Sequence, residues 1–241
     1  MKQNILKGVL ALSSMALVIG CGSSDSTSGE STALAVQAAI DSPISVLSEE
    51  LANTLSYMGN EERLAYDVYN YLYNQFGTQQ FTNIATQSEY QHIASVQGLI
   101  QKYKLDDSID FTNVDMPSLG YIYTPIEQMQ AGRYDISIIQ NLYDGLTAQG
   151  SNSEIDALKV GCIIEVVDVT DLNSDIAIAE RENATDIVTV FNFLRDGSYN
   201  HYWSFDKGLV DRGISDGCCS LGATYCHPEY PENSNGNGRN R

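Results

Sequence analysis

Glu62, Glu89, His92, Glu165 and His201 are the side chains of this chain best suited to holding a transition metal. Carboxylate oxygen and imidazole nitrogen are good ligands for iron, manganese and zinc, and the spacing points the same way. Glu89-Tyr90-Gln91-His92 sets two ligand types three residues apart, so on a helix both project to one side. The same step joins Glu165 to Asp168 and Ser198 to His201. The chain has only three histidines, and two of them belong to this set.

The elements that must position these groups follow from periodicity. Leu51, Leu55, Met58, Glu62, Ala65, Tyr69 and Leu72 recur at alternating steps of four and three. So do Ala85, Glu89, His92, Val96, Leu99 and Tyr103. A third set is Leu158, Cys162, Glu165, Val169, Leu172 and Ile176, and a fourth is Ile187, Phe191, Leu194, Ser198, His201 and Phe205. Such stripes predict four helices, each burying one seam. Gly77 and Gly213 mark helix ends, Ser153 suits an N-cap, and Gly59-Asn60 and Asp196-Gly197 predict kinks inside the first and fourth helices. Each seam is interrupted by polar groups. A buried, unpaired carboxylate costs several kcal/mol. Three of them in one core would offset much of the roughly 5–15 kcal/mol by which a domain is stable. A bound metal would neutralise them directly.

The stretch 105–150 separates the second and third helices and contains Pro117, Pro125 and a short helical pattern from Ile138 to Leu146. The other two connections are a few residues long. Two helical hairpins joined by one long crossover give an all-α fold, the ferritin-like four-helix bundle, with its crossover between helices 2 and 3. The formal charge of −18 excludes nucleic acid and anionic lipid headgroups as partners.

The N-terminus sets the location. Lys2 and Lys7 precede an apolar run from Val9 to Ile19, too short for a permanent span, which reads as a signal peptide over 1–20. Leu17-Val18-Ile19-Gly20-Cys21 is similar to a bacterial lipobox, in which the cysteine is acylated. Residues 21–42, rich in Ser, Gly and Thr at their start, then form the lipidated cysteine and a flexible tether. The bundle is expected over 43–213, and 214–241 as a cysteine-containing, partly disordered tail. The expected location is the cell envelope, with the membrane contacted through the lipid anchor only. Ser23 favours an outer membrane, facing the periplasm or the surface, if the organism has one.

Four segments carry a family resemblance. They are Glu61-Glu62-Arg63-Leu64-Ala65-Tyr66-Asp67-Val68-Tyr69; Phe81-Thr82-Asn83-Ile84-Ala85 with Ser88-Glu89-Tyr90-Gln91-His92; Ala157-Leu158-Lys159-Val160-Gly161 with Ile164-Glu165 and Asp168; and Gly197-Ser198-Tyr199-Asn200-His201 with Phe205. In this order, over about residues 48–206, the chain resembles a bacterial and archaeal ferritin-like family known as a domain of unknown function, DUF2202. The resemblance implies a di-iron template: one Glu from each of two helices and Glu-x-x-His from each of the others. Glu62 and Glu165 match the single glutamates, and Glu89 with His92 matches one pair. Ser198 stands where the fourth glutamate belongs, although His201 is present. Asp168 either supplies the missing carboxylate or orients a ligand histidine. One metal or two, iron or else manganese or zinc, are therefore the implied cofactors, with ferroxidase-like oxidation by oxygen or peroxide. Tyr66 and Tyr69 could donate a hydrogen bond or an electron there, or be plain core tyrosines. The alternative is a non-catalytic, lipid-anchored helical module whose metal is stabilising or vestigial. A homodimer is an open expectation.

The remaining cysteines form a separate question. Outside the cytoplasm, disulfides are the default for Cys162, Cys218, Cys219 and Cys226. Cys218 or Cys219 bonded to Cys226 would close a small loop, and the other could reach Cys162 if the tail folds back. A metal site of Cys218, Cys219, Cys226 and His227 is the competing arrangement.

Overall fold

The computed structural model describes residues 26–105, 130–134 and 136–232. The signal peptide, Cys21, the prolines of the crossover and the end of the tail lie outside them. All regular structure among the described residues is helical, in keeping with the four stripes.

Helix α1 spans Ser26–Asp41 and α2 spans Glu49–Phe76. The Ser48 hydroxyl accepts from the Leu51 N–H at 3.1 Å, and Glu49 and Glu50 sit in the first turn, where carboxylates favour the helix dipole. Gly77, at φ +70°, ends α2 in the left-handed conformation that suits glycine. After two residues α3 begins, Gln79–Ile84, and passes through a π turn, Ala85–Glu89, into α4, Tyr90–Tyr103. Helix α5, Ser137–Gly150, lies in the crossover. Ser153 caps α6, Glu154–Arg181, and three residues later α7 runs from Thr185 to Val210.

Helices α2, α4, α7 and α6 surround one core as neighbours in that order, closing back on α2. Every stripe residue is buried except Tyr103, which is half-buried. Helix α1 lies against α4 and α7, and α5 against α2 and α6. Buried polar ties hold the outer pieces on. Lys102 of α4 donates to the Ala39 carbonyl at 2.8 Å and to Asp186 of α7 at 2.5 Å. Arg63 of α2 donates to the Gln130 and Arg133 carbonyls at 2.6 and 2.9 Å, and Asp67 accepts from the Tyr134 hydroxyl at 2.7 Å. These two residues fix the returning crossover beside Glu62.

One expectation is corrected and two are refined. The tether over 21–42 is helical from Ser26 to Asp41, because Val36 and Ala39 find apolar cover on the bundle. Gly98 makes room for it: a Cβ there would lie 2.8 Å from Ile40 Cδ1. Helices α2 and α7 run unbroken through Gly59-Asn60 and Asp196-Gly197, and the irregular turn falls at 85–89 instead, in a segment without glycine. The tail packs on the bundle as far as Tyr230, and residues 233–241 of the expected, partly disordered tail lie outside the described residues. Cys162–Cys218 ties it to α6 and Cys219–Cys226 closes a short loop. The Tyr202 hydroxyl accepts from the His227 N–H at 3.0 Å, and Trp203 Nε1 donates to the Tyr230 carbonyl at 3.2 Å. With all three tail cysteines oxidised, no thiolate remains for a metal site with His227. Among the described residues, no helix is long and apolar enough to cross a membrane.

Candidate metal centre

Each of the four core helical segments contributes to one buried cluster. Helix α2 supplies Glu62; the π turn ends on Glu89, and His92 follows in α4; α6 supplies Glu165; α7 supplies His201. The π turn closes with the Tyr90 N–H donating to the Ala85 carbonyl, so it holds one residue more than an α turn. Such turns recur at functional sites. Here it delivers Glu89 to the middle of the cluster.

Both imidazoles present Nδ1 to carboxylate oxygens. His92 Nδ1 lies 2.9 Å from Glu62 Oε2 and 3.2 Å from Glu89 Oε2. His201 Nδ1 lies 2.9 Å from Glu89 Oε1 and 3.3 Å from Glu165 Oε2. Glu89 therefore uses one oxygen on each side and joins two three-residue groups, Glu62–Glu89–His92 and Glu89–Glu165–His201. In each group one ligand atom per residue lies within 4.8 Å of the others. The two imidazole rings are 5.6 Å apart, centre to centre.

The surroundings are dry, and charge there is costly. Burial pushes the Glu62 carboxyl well above the ordinary range, with His92 pulling the other way. Burial opposes ionisation of Glu89 too, but the imidazoles of His201 and His92 outweigh it and hold that carboxyl well below its usual value. Burial raises Glu165, against the pull of His201. Burial would lower the histidines, yet Glu165 and Glu89 drive His201 up to about 10, and Glu62 and Glu89 raise His92 well above the ordinary range. Without a metal, imidazolium protons offset the carboxylates.

Two polar atoms remain unanswered. Glu62 Oε1 is buried with no hydrogen-bond partner. His201 Nδ1 is close to two carboxylate oxygens but off the direction that a ring N–H bond requires. An unpartnered carboxylate oxygen, in a set of three carboxylates and two imidazoles, fits first-row divalent metals. The residues thus suit the metal that the family resemblance implies.

The neighbouring residues have definite partners. The Tyr69 hydroxyl donates to Glu165 Oε1 in a short contact. Asp168 belongs to neither three-residue group: the Ser198 hydroxyl donates to its Oδ2, so it supports α7 rather than a ligand histidine. Burial and the charge of Glu165 push Asp168 up to about 7, although part of its surface reaches solvent. Gly197 was legible only as a weak helix position. Its lack of a Cβ is what admits the His92 ring, since that atom would sit 2.4 Å from Nε2. Glu61, one residue off the stripe, also escaped the periodic reading; its Oε2 is buried without a hydrogen-bond partner.

Comparison with known proteins agrees with the extent of this core. The family described as an uncharacterized protein domain (DUF2202) matches residues 51–223. The uncharacterized protein MJ0754 of Methanocaldococcus jannaschii is 36% identical over 171 residues, covering 71% of this chain and 81% of that protein. The crystal structure of the hypothetical protein MJ0754 superposes with a TM-score of 0.59 at 35% identity, over 72% of this chain and 87% of that one. The chain therefore belongs to the DUF2202 family.

Proposed function

We infer that this protein is an envelope metalloprotein whose ferritin-like helical core binds iron at two adjoining subsites and serves oxygen- or peroxide-dependent oxidation. The observation that carries the reading is Glu89: one buried carboxylate faces two histidines, each completed by a second glutamate. Glu62, Glu89 and His92 would hold one ion, and Glu89, Glu165 and His201 the other. Two bound ferrous ions would supply two electrons, enough with two protons to take hydrogen peroxide to two waters. The chain's own part is to orient the ligands and exclude water. Tyr69 fixes Glu165 through its hydroxyl, and Asp168 holds Ser198 on α7.

The lipid anchor at Cys21 is part of this proposal. Two disulfides among the described residues support an oxidising compartment, where such bonds persist. One observation favours the non-catalytic alternative: Ser198, in place of a fourth glutamate, leaves each subsite with three ligand residues of which one is shared. Anaerobic titration of the purified domain with ferrous iron, followed by oxygen- and peroxide-consumption assays, separates the two. Two equivalents bound with turnover support the oxidative role. Stoichiometric metal without turnover supports the stabilising role, and no stoichiometric transition metal overturns both.

A further inference from the structure

Glu165 of α6 opens a series that continues at steps of three and four through Asp168, Asp171 and Asp175, so all four lie along one side of that helix. At about 1.5 Å of rise per residue, the series is about 15 Å long. Glu61 of α2 faces it. The charges of Asp168, Asp171 and Asp175 all act on Glu61, and its carboxyl shares a hydrogen bond with that of Asp171. Burial changes along the series: Glu62, Glu89 and Glu165 are buried, whereas Glu61, Asp168, Asp171 and Asp175 are half-buried. A cavity of about 70 Å³ connects the inner acids to the outer ones. Glu61, Glu62, Glu89, Glu165 and Asp168 line it, and the rest of its wall is aliphatic. Glu62, only 2% exposed, has its Oε1 buried without a hydrogen-bond partner, and so does Glu61 Oε2. No lysine or arginine lines the cavity, and none is among the main charges acting on Glu61, Asp171 or Asp175.

We propose that Glu61, Asp168 and Asp171 form a transit site for divalent cations, which pass from it through the cavity to the metal centre. It rests on the metal-binding reading and assigns the residues that load that site. Charge decides the occupant. Carboxylates without basic partners repel anions, and burying them costs several kcal/mol that a cation beside them offsets. The cavity has room for an ion with part of its water shell, since one water takes up about 30 Å³ in the liquid. The outer acids are a passing place rather than a resting one. Among the described residues, only the two histidine-containing groups bring three ligand atoms within 4.8 Å of one another. An ion beside Glu61, Asp168 and Asp171 keeps water ligands and finds no imidazole, so the tighter inner set draws it onward. Asp168 already accepts from the Ser198 hydroxyl, which leaves Glu61 and Asp171 as the acids whose removal probes the route alone.

The test is the rate of loading. Cobalt(II), mixed by stopped flow with the metal-free, disulfide-intact protein and followed by its visible absorption, should enter Glu61→Gln and Asp171→Asn at least about tenfold more slowly than the wild type at low salt. The final content should be the same in all three. About 0.5 M salt should slow the wild type and leave the variants nearly unchanged, a response that a merely structural role would not produce. Glu50→Gln, which removes an exposed charge at the start of α2, should load like the wild type. Asp171 is half-buried and does not line the cavity, so its variant carries the test if Glu61→Gln does not fold. Equal rates in a folded variant, or equal slowing in Glu50→Gln, overturn the transit site while the metal centre stands. A wild type that takes up no cobalt overturns the metal-centre reading and the route with it.

Discussion

Glu62 and Glu89 are buried glutamates touching the same imidazole, yet they face different fields. Glu62 meets one histidine in a dry setting and is held high, whereas Glu89 lies between two imidazoles and is held low. Their amide variants should therefore part company in the metal-free protein. Glu89→Gln removes the charge that answers both imidazoliums and should cost about 3–5 kcal/mol in urea unfolding. Glu62→Gln replaces a group already inclined to be neutral and should cost under about 1 kcal/mol. Both should lose metal. Equal destabilisation would show that the two carboxylates do not differ in charge as described. All five residues of the candidate cluster were legible in the sequence, because a polar residue on an otherwise apolar seam is conspicuous. What was not legible was which oxygen faces which nitrogen. Ser198 and Asp168 looked like a gap and its substitute, and they instead bond to each other.

At the level of single helices, the π turn at 85–89 and Gly197 of α7 meet at the same imidazole edge: Ser88 Oγ lies 3.5 Å from His92 Nε2 and 3.6 Å from where a Cβ on Gly197 would stand. A methyl group at Gly197 would collide with His92 Nε2, which packing on the Phe193 ring also confines. Gly197→Ala should lower stability by about 1–3 kcal/mol, the usual cost of overfilling a packed site. It should also empty the Glu62–Glu89–His92 subsite first, read as a fall from two metal equivalents toward one. Retention of both equivalents would mean that the ring can move without loss. Helix existence was legible from the stripes, and the caps at Ser153 and Gly77 from local chemistry. The π turn was not, since Ala85, Glu89 and His92 keep steps that an α-helix would also show. Helix α1 was missed because its signal is tertiary: two buried residues and a glycine on the facing helix outweigh a tether-like composition.

Across the whole molecule, long-range ties hold the helices in register. Asp186 joins α7 to Lys102 and Tyr103 of α4, with both hydrogen-bond distances 2.5 Å. Burial acts against the Asp186 anion, but Lys102 and Tyr103 outweigh it and lower its carboxyl below the ordinary aspartate value. A depressed carboxyl contributes stability above the unfolded value of about 3.9, which is lost as pH falls through the folded one. Asp186→Asn should therefore flatten the acid side of the stability curve below about pH 4, while leaving metal content at neutral pH unchanged. An unaltered acid limb would assign the loss to other carboxylates. The tail tie is covalent. Cys162–Cys218 spans 56 residues and Cys219–Cys226 spans seven. Loop-closure entropy gives about 4 kcal/mol for the longer and about 2 kcal/mol for the shorter. The double serine variant of each pair, unfolded in guanidinium, should rank in that order.

The longer bridge reaches further than the tail. Cys162 lies one turn before Glu165 on α6, so the bond that holds residues 217–230 against α7 also braces the turn that presents this candidate ligand. Chain produced in a thiol-rich cytosol would arrive with that brace undone and a looser scaffold behind one subsite. A low metal content in such a sample would report its production history, and disulfide-intact material is the sample in which the candidate site should be tested.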